Sequence, residues 1–147
     1  MPTLLMVRQK LSTAIGKLSE LTVFGNDYPT SDGTCIRDYI HVTDLADAHV
    51  KGLEFLNTSH PPEVEFINIG TGKGTSVLEM IETFESVSGE KLAWKFGPRR
   101  AGDVVEIYAN ALKSKKQLKW EAQLSIRDAV RDAWNWEQHL KKNGTGQ

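Results

Sequence analysis

The fold of this chain is decided by the stretch Glu20-Leu-Thr-Val-Phe-Gly-Asn-Asp-Tyr-Pro-Thr-Ser-Asp-Gly-Thr-Cys-Ile-Arg-Asp-Tyr-Ile-His41. Within it, residues 32–34 have the composition of a loop, and residues 38–42 are interpreted as a short strand. Arg37 lies between the two, so its backbone is anchored while its side chain can face a cleft. A guanidinium meets two phosphate oxygens at once, but a lone arginine is more often a solvated surface charge. Both interpretations of Arg37 stay open on this stretch alone.

Outward from this stretch, helical patterns alternate with strand patterns, which predicts an α/β fold. Thr43 predicts the N-cap of a helix over residues 44–57. Further helices are predicted from Thr75 or Ser76 to a stop at Gly89, near residues 111–118, and after a cap at Ser125. Strands are predicted over residues 64–69 and 91–96. The predicted inner helix faces carry Leu78, Ile81 and Phe84, and then Ile126, Val130, Ala133 and Trp134.

Length and composition are those of one modest domain, because 147 residues with 39% hydrophobic side chains can supply one core. A formal net charge of −1 favours neither nucleic acid nor an anionic membrane as a partner. Cys35 is the only cysteine, which excludes an internal disulfide and makes a reducing, cytoplasmic compartment the default. No apolar run approaches the roughly 20 residues that span a bilayer, so we expect a soluble protein.

The two ends of the chain need separate interpretations. The first 18 residues carry basic but no acidic side chains, with apolar residues at helical spacing. This pattern fits a transit peptide, but we interpret it as an amphipathic helix that faces the core. Residues 143–147 are expected to form a flexible tail.

Residues 68–76, Asn-Ile-Gly-Thr-Gly-Lys-Gly-Thr-Ser, superficially satisfy the dinucleotide-binding fingerprint. Two features argue against that function. The third small position is Ser76 rather than glycine or alanine, and the acidic residue about 20 positions further on, Glu90, precedes the next predicted strand instead of ending it. We therefore interpret the segment as a tight strand-to-helix turn, with cofactor binding as the lesser alternative.

The loop Pro98-Arg-Arg-Ala-Gly-Asp103 is a stronger candidate for ligand binding. Arg99 and Arg100 place clustered positive charge beside a rigid proline, which is typical of an anion clamp. Asp103 is placed either to orient Arg100 or to accept a hydrogen bond from a ribose hydroxyl.

Four segments carry a resemblance to a known family. They are Phe24-Gly-Asn-Asp-Tyr-Pro-Thr30, Arg37-Asp-Tyr-Ile-His-Val42, Asp44-Leu-Ala-Asp-Ala-His49 and Pro98-Arg-Arg-Ala-Gly-Asp103. Through them, and over nearly its whole length, the chain resembles UDP-glucose 4-epimerases, which are extended short-chain dehydrogenase/reductases. The resemblance implies that residues 1–147 are a single partial domain: the C-terminal, substrate-binding half, with mixed helices and short strands, lacking the N-terminal Rossmann core.

The same resemblance implies a UDP-sugar site that takes UDP-glucose or UDP-galactose. The residues implied at this site are Thr22, Val23, Phe24, Arg37, Val77, Arg100 and Asp103. The first three would line the uridine pocket, with Phe24 packing near the base, and Val77 would approach the uracil ring. The two arginines would hold the diphosphate, and Asp103 would hold the ribose.

Three positions depart from the family pattern or leave it open. Cys35 replaces a usual glycine and Ala101 a usual glutamate, and neither change removes a charge that the phosphate site needs. Ile107 lies where residue size influences the acceptance of N-acetylated sugars, so that preference stays open.

The resemblance also implies what this chain lacks. In a complete epimerase, bound NAD takes hydride from C4 of the sugar, and the tyrosine of a Tyr-x-x-x-Lys pair takes the hydroxyl proton. The tyrosines here are Tyr28, Tyr39 and Tyr108, and none is followed by lysine four positions later. We therefore expect no catalytic residue in this chain, no NAD binding by the chain alone, and no measurable turnover.

Three functions compete on this basis. The first is that the chain is a fragment of a UDP-glucose 4-epimerase, the isomerase of galactose metabolism that interconverts UDP-glucose and UDP-galactose. The second is a non-catalytic nucleotide-sugar-binding module, or a regulator that pairs with a full-length epimerase subunit. The third, a parent such as a dehydratase or a UDP-glucuronate-type epimerase, fits residues 25–30 and 37–41 less well.

A substrate-binding half should also expose apolar surface. In the family, the helix around residues 44–57 and the strand around Phe66 complete the nucleotide-binding layer. Without that layer they would face solvent, so we expect an isolated chain that is marginally stable or self-associating.

Overall fold

The protein is described by a computed structural model that covers residues 19–59 and 64–144. The helix predicted in the first 18 residues lies outside these ranges, as does most of the predicted tail. No helix in the described ranges is long and apolar enough to cross a membrane.

Two small sheets organise the described residues. The strands are β1 (Leu21–Phe24), β2 (Ile36–Arg37), β3 (Thr75–Ser76), β4 (Trp94–Gly97) and β5 (Glu106–Ile107). Strands β1 and β4 pair in parallel, with Leu21 opposite Trp94. In the other sheet, of order β3-β2-β5, the central strand β2 is antiparallel to β3 and parallel to β5. The fold is therefore α/β, as predicted.

The described residues form three α-helices: α1 (Val42–Ser59), α2 (Val77–Ser88) and α3 (Ile126–Lys142). A π-helix, Ser114–Leu118, lies in the predicted short helix. Ser76 and Ser125 each form a capping box with the acidic residue three positions on. Gly89 ends α2 at a φ of 74°, a backbone conformation that glycine adopts without steric cost. These caps confirm the predicted boundaries of α2 and the predicted start of α3.

The main core lies between β1, α2 and α3. Its buried members are Leu21, Val23, Tyr28, Cys35, Tyr39, Val77, Met80, Ile81, Phe84, Leu92 and Val130. Phe84 meets Trp134 edge-to-face, with ring centroids 5.5 Å apart. The predicted inner face of α2 is confirmed at Ile81 and Phe84, whereas Leu78 is only partly buried.

The strand predicted over residues 38–42 is wrong, because the pairing ends at Arg37. The N–H of Ala109, just past β5, donates to the Asp38 carboxylate rather than to a strand carbonyl. The predicted cap of α1, Thr43, is also two positions late. His41 is the capping residue, since its Nδ1 accepts from the Thr43 N–H at 3.0 Å and its carbonyl accepts from the Leu45 N–H.

Two other predicted strands differ from the structure. Residues 64–69 alternate between exposed and partly buried side chains as a strand does, but no strand in the described ranges pairs with them. A β-strand is defined by its ladder of hydrogen bonds, so this segment is extended but not a strand. The strand predicted over residues 91–96 begins later, at Trp94, where pairing with β1 begins.

Helix α1 has one buried and one exposed apolar face. Its inner side packs through Ala48 and Phe55 on a second cluster built around Leu118 and Trp120. Its outer side leaves large apolar side chains in solvent, namely Val42, Val50, Leu53 and Leu56. Phe66, in the neighbouring extended segment, is 80% exposed. The expected exposure of apolar surface at α1 and Phe66 is therefore confirmed.

Candidate functional site

A cleft of about 540 Å³ opens where β2 and β5 end. Its walls come from the end of β2, the glycine turn after residue 67 and the segment on either side of β5. The lining residues are Arg37, Asp38, Ile40, Asn68, Ile69, Gly70, Gly102, Asp103, Val104, Ile107, Tyr108, Ala109 and Asn110. The cleft thus gathers residues from three distant parts of the sequence, including two of the predicted site residues.

Arg37 is the most buried charged group of this cleft, with 7% of its surface exposed. Strand β2 positions it, because β2 is the central strand of its sheet. One guanidinium nitrogen, Nη1, donates to the Ile36 carbonyl at 2.7 Å. The other, Nη2, lies 3.5 Å from Oδ1 of Asp103. The two contacts hold the guanidinium at the cleft wall with its charge only partly balanced.

Arg100 reaches the same carboxylate from the loop after β4. Its Nε and Nη2 donate to the two oxygens of Asp103 at 3.0 and 3.3 Å. Its guanidinium also lies over the ring of Phe24, 4.8 Å from the ring centroid. Two arginines therefore converge on one carboxylate, which leaves an excess of positive charge beside an aromatic ring. This combination can bind an anionic group attached to a flat, stacking group.

Asp38 shapes the cleft, although the sequence did not mark it as a site residue. Its carboxylate accepts from the Thr71 N–H and hydroxyl at 3.0 and 2.6 Å, from the Gly72 N–H at 3.2 Å and from the Ala109 N–H at 3.1 Å. These bonds tie the glycine turn to the segment after β5. The one available signal was its position next to Arg37.

Several amides of the glycine turn and of the start of α2 are already hydrogen-bonded within the protein. Asp38 accepts from the Thr71 and Gly72 N–H groups, and the Val77 N–H donates to the buried Thr34 hydroxyl at 3.1 Å. Ser76 and Thr34 both donate to Asp32. Burial alone would raise the pKa of Asp32, but these hydrogen bonds outweigh it and lower the pKa. These internal bonds are typical of a structural turn, and the absence of a cofactor site here stays a prediction.

The remaining predicted residues divide by burial. Thr22 and Phe24 lie on one face of β1, whereas Val23 is 1% exposed and belongs to the main core. Val77 is 4% exposed and belongs to the same core. Both valines pack in the core, so little of either side chain is open to a ligand in this conformation. The binding roles of all four stay predictions.

Comparison with known proteins places these features in a family. The family model described as GDP-mannose 4,6 dehydratase matches residues 1–133. A bifunctional UDP-glucose 4-epimerase and UDP-xylose 4-epimerase from Pisum sativum is 52% identical over 123 residues, which is 84% of this chain and 35% of the pea protein. The UDP-glucose 4-epimerase of Bacillus subtilis is 49% identical over 124 residues, covering 84% of this chain and 36% of that protein. The chain thus spans about a third of the length of these relatives.

Solved structures agree with the sequence relatives. A UDP-glucose 4-epimerase from Stenotrophomonas maltophila, with bound NAD and formylated UDP-arabinopyranose, superposes with a TM-score of 0.90 at 40% identity, covering 94% of this chain and 40% of that one. An epimerase from Bifidobacterium longum, in complex with NAD+ and UDP, gives a TM-score of 0.82 at 38% identity, covering 97% and 41%. The resemblance stated from the sequence motifs is confirmed, and the chain belongs to the family of nucleotide-sugar enzymes that the GDP-mannose 4,6 dehydratase model describes, with UDP-glucose 4-epimerases among its relatives.

Proposed function

We propose that this chain is the UDP-sugar-binding part of a UDP-glucose 4-epimerase. The observation that carries the proposal is the convergence of Arg37 and Arg100 on Asp103 at the edge of the cleft. A nucleoside diphosphate needs fixed, permanently charged donors, and two guanidiniums supply them. The epimerase relatives support uridine as the nucleoside, since solved relatives hold UDP or a UDP-sugar. The names of the sequence relatives, UDP-glucose 4-epimerases, support glucose as the sugar.

The proposed binding mode follows from the charges. In the free chain, Asp103 occupies both arginines, so a diphosphate must take over some of their N–H groups. The displaced carboxylate then has acceptor capacity for a ribose hydroxyl. Phe24, which already lies under the Arg100 guanidinium, offers a face for the base. The sugar would extend into the cleft past Ile107, whose side chain is exposed there.

The chemistry of epimerisation needs groups beyond these residues. The relatives from Stenotrophomonas and Bifidobacterium hold NAD. In this chain the amides of Thr71, Gly72 and Val77 are already bonded to Asp38 and Thr34, and no Tyr-x-x-x-Lys pair is present in the sequence. We propose that NAD binding and proton transfer belong to residues outside this sequence.

Calorimetric titration of the purified chain with UDP and with UDP-glucose tests this proposal, with NAD as a parallel titrant and circular dichroism to verify folding. We expect saturable binding of both uridine ligands and no heat from NAD. A folded chain that binds NAD but neither uridine ligand would overturn the proposal. Binding of UDP that is blocked by excess UDP-glucose would place the two ligands in one site.

The exposed face of α1 supports a second candidate, in which the chain pairs with a full-length epimerase subunit as a non-catalytic module. This face is formed by Val42, Val50, Leu53 and Leu56 and continues to Phe66. Apolar patches of this kind on a soluble protein mark surfaces that another polypeptide covers. In either candidate the covering polypeptide is the nucleotide-binding layer of an epimerase, supplied within one chain or by a partner.

If this face lacks its cover, the isolated chain should self-associate. We expect sedimentation velocity to show association that increases with concentration, and the double change Leu53→Lys with Leu56→Lys to reduce it, because two charges in the patch oppose its burial. Thr58→Lys, on the polar side of the same helix, adds a like charge and should have little effect. A wild-type chain that stays monomeric and melts in one sharp transition would contradict this prediction and favour the free-standing module.

A further inference from the structure

The loop of residues 98–103, which carries Arg100 and Asp103, has few backbone anchors. Before it, the Gly25 N–H donates to the Gly97 carbonyl at 2.9 Å, and after it the Ile36 N–H donates to the Val105 carbonyl at 2.9 Å. Between these points, within the described residues, the one backbone hydrogen bond runs from the Asp103 N–H to the Arg100 carbonyl at 3.2 Å and is internal to the loop. Side chains must therefore hold the loop to the body of the protein.

Arg99 is the side chain that does so on the far side of the loop. Its Nε donates to Oδ1 of Asp27 at 2.6 Å, and its Nη2 donates to the Asp27 backbone carbonyl. Its guanidinium lies 4.1 Å from the centroid of the Tyr28 ring. Tyr28 is buried in the main core, so the ring is a fixed platform. Arg99 thus uses Nε and Nη2 on Asp27 and its planar face on Tyr28, while Nε and Nη2 of its neighbour Arg100 donate to Asp103.

Gly25 makes room for this arrangement. Its φ is +80°, and a Cβ atom there would lie 2.4 Å from Cε2 of Tyr28 and 3.0 Å from Cγ of Arg99. A side chain at this position would displace both members of the contact. The close packing of three residues from two loops fixes the position of the Arg99 stem, although its ion pair with Asp27 is exposed.

We propose that Arg99 is a positioning residue: by clamping the 98–103 loop to Asp27 and Tyr28, it holds Arg100 and Asp103 in line with Arg37 across the cleft. This inference rests on the proposed function, because it assigns a role in UDP binding to a residue that does not contact the ligand. It replaces the sequence-based interpretation of Arg99 as a member of the anion clamp itself.

Asp27→Ala separates positioning from direct binding by the sign of its effect. If Arg99 positions the loop, the change removes its ion pair and lowers UDP affinity by about two- to fivefold, which is the size expected for an exposed ion pair. If Arg99 binds phosphate directly, removing a competing carboxylate raises the affinity. Arg99→Lys keeps the charge but loses the planar fork, so it should lower affinity nearly as much as Arg99→Ala. Unchanged or tighter binding by Asp27→Ala would overturn the proposal.

Hydrogen exchange on the ligand-free chain provides a readout that needs no UDP binding. The Asp103 amide, which bonds within the loop, should exchange faster in Arg99→Ala and Asp27→Ala than in the wild type. Arg127→Ala removes an arginine from the exposed surface of α3, where it contacts Ser86, and should leave that amide unchanged. If wild-type protein fails to bind UDP, the proposed function is wrong. The exchange rates still show whether Arg99 holds the 98–103 loop to Asp27 and Tyr28. Equal exchange in wild type and Arg99→Ala would refute it.

Discussion

Replacing Arg37 by alanine should lower the affinity of the chain for UDP by about a hundredfold, the largest effect that we expect from any single change in the cleft. Arg37 is almost fully buried on the central strand of its sheet, so its guanidinium acts in a medium that screens charge poorly. Hydrogen bonds to charged groups contribute about 1.5–3 kcal/mol each. Losing a donor that can meet two phosphate oxygens therefore removes much of the binding free energy.

Arg100→Ala should also weaken binding, but by less, because the Arg100 side chain is 38% exposed and better screened by solvent. The difference should show in the salt dependence: the contribution of Arg100 falls as ionic strength rises, while that of Arg37 changes less. Arg37→Lys keeps the charge and should recover only part of the affinity, since an ammonium lacks the fork. Calorimetric titrations with UDP measure all three variants, and Arg127→Ala controls for loss of a surface arginine.

Folding must be measured on the same samples, because Arg37 also donates to the Ile36 carbonyl. A melting transition close to that of the wild type assigns the lost affinity to the ligand contact. Unchanged UDP affinity in either Arg37→Ala or Arg100→Ala would remove our assignment of the diphosphate site.

Phe84→Ala should lower the free energy of unfolding by about 3–5 kcal/mol, the cost of deleting a large buried side chain from a core. Phe84 is 2% exposed and joins α2 to Trp134 of α3 through an edge-to-face contact. Domains of ordinary stability have a free energy of unfolding of about 5–15 kcal/mol, so this one change would remove a large part of that stability. We expect the variant to be largely unfolded near room temperature if the chain is marginally stable.

Phe66→Ala provides the matched control, because it removes the same side chain from an exposed position. Urea denaturation followed by circular dichroism should show little change in its midpoint, and less self-association if the α1 face is a docking surface. Similar midpoints for Phe84→Ala and the wild type would mean that α2 and α3 do not share a core in solution.

Local signals predicted the parts of the fold that local interactions stabilise. The boundaries of α2 follow from Ser76 and Gly89, which act on backbone groups a few residues away. The same holds for Ser125 at the start of α3. The strands were predicted less well, because a strand ends where its partner ends. Asp38 ends the pairing of β2 by taking the Ala109 N–H, and that bond spans 71 positions.

The candidate site shows the same division. Arg37, Arg100 and Asp103 were predicted from motifs and do converge at one cleft edge. Charge and spacing alone did not tell Arg99 from Arg100, which are adjacent and identical in chemistry, and only the family resemblance assigned the diphosphate to Arg100. Their partners differ because the chain turns between them, so that one meets Asp27 and the other Asp103. Val23 and Val77 likewise carried no signal of their burial in the core.

The amino-acid sequence alone was enough to predict the family, the α/β class, the caps of α2, the start of α3 and the residue types of an anion site, because each depends on short-range chemistry or on motifs in a fixed order. Only the tertiary structure shows which charged side chains form ion pairs, which side chains are buried in the core and which face of α1 is exposed to solvent. Those outcomes depend on contacts between residues far apart in the chain, as between Arg37 and Asp103, and such contacts form only when the sheets and helices assemble.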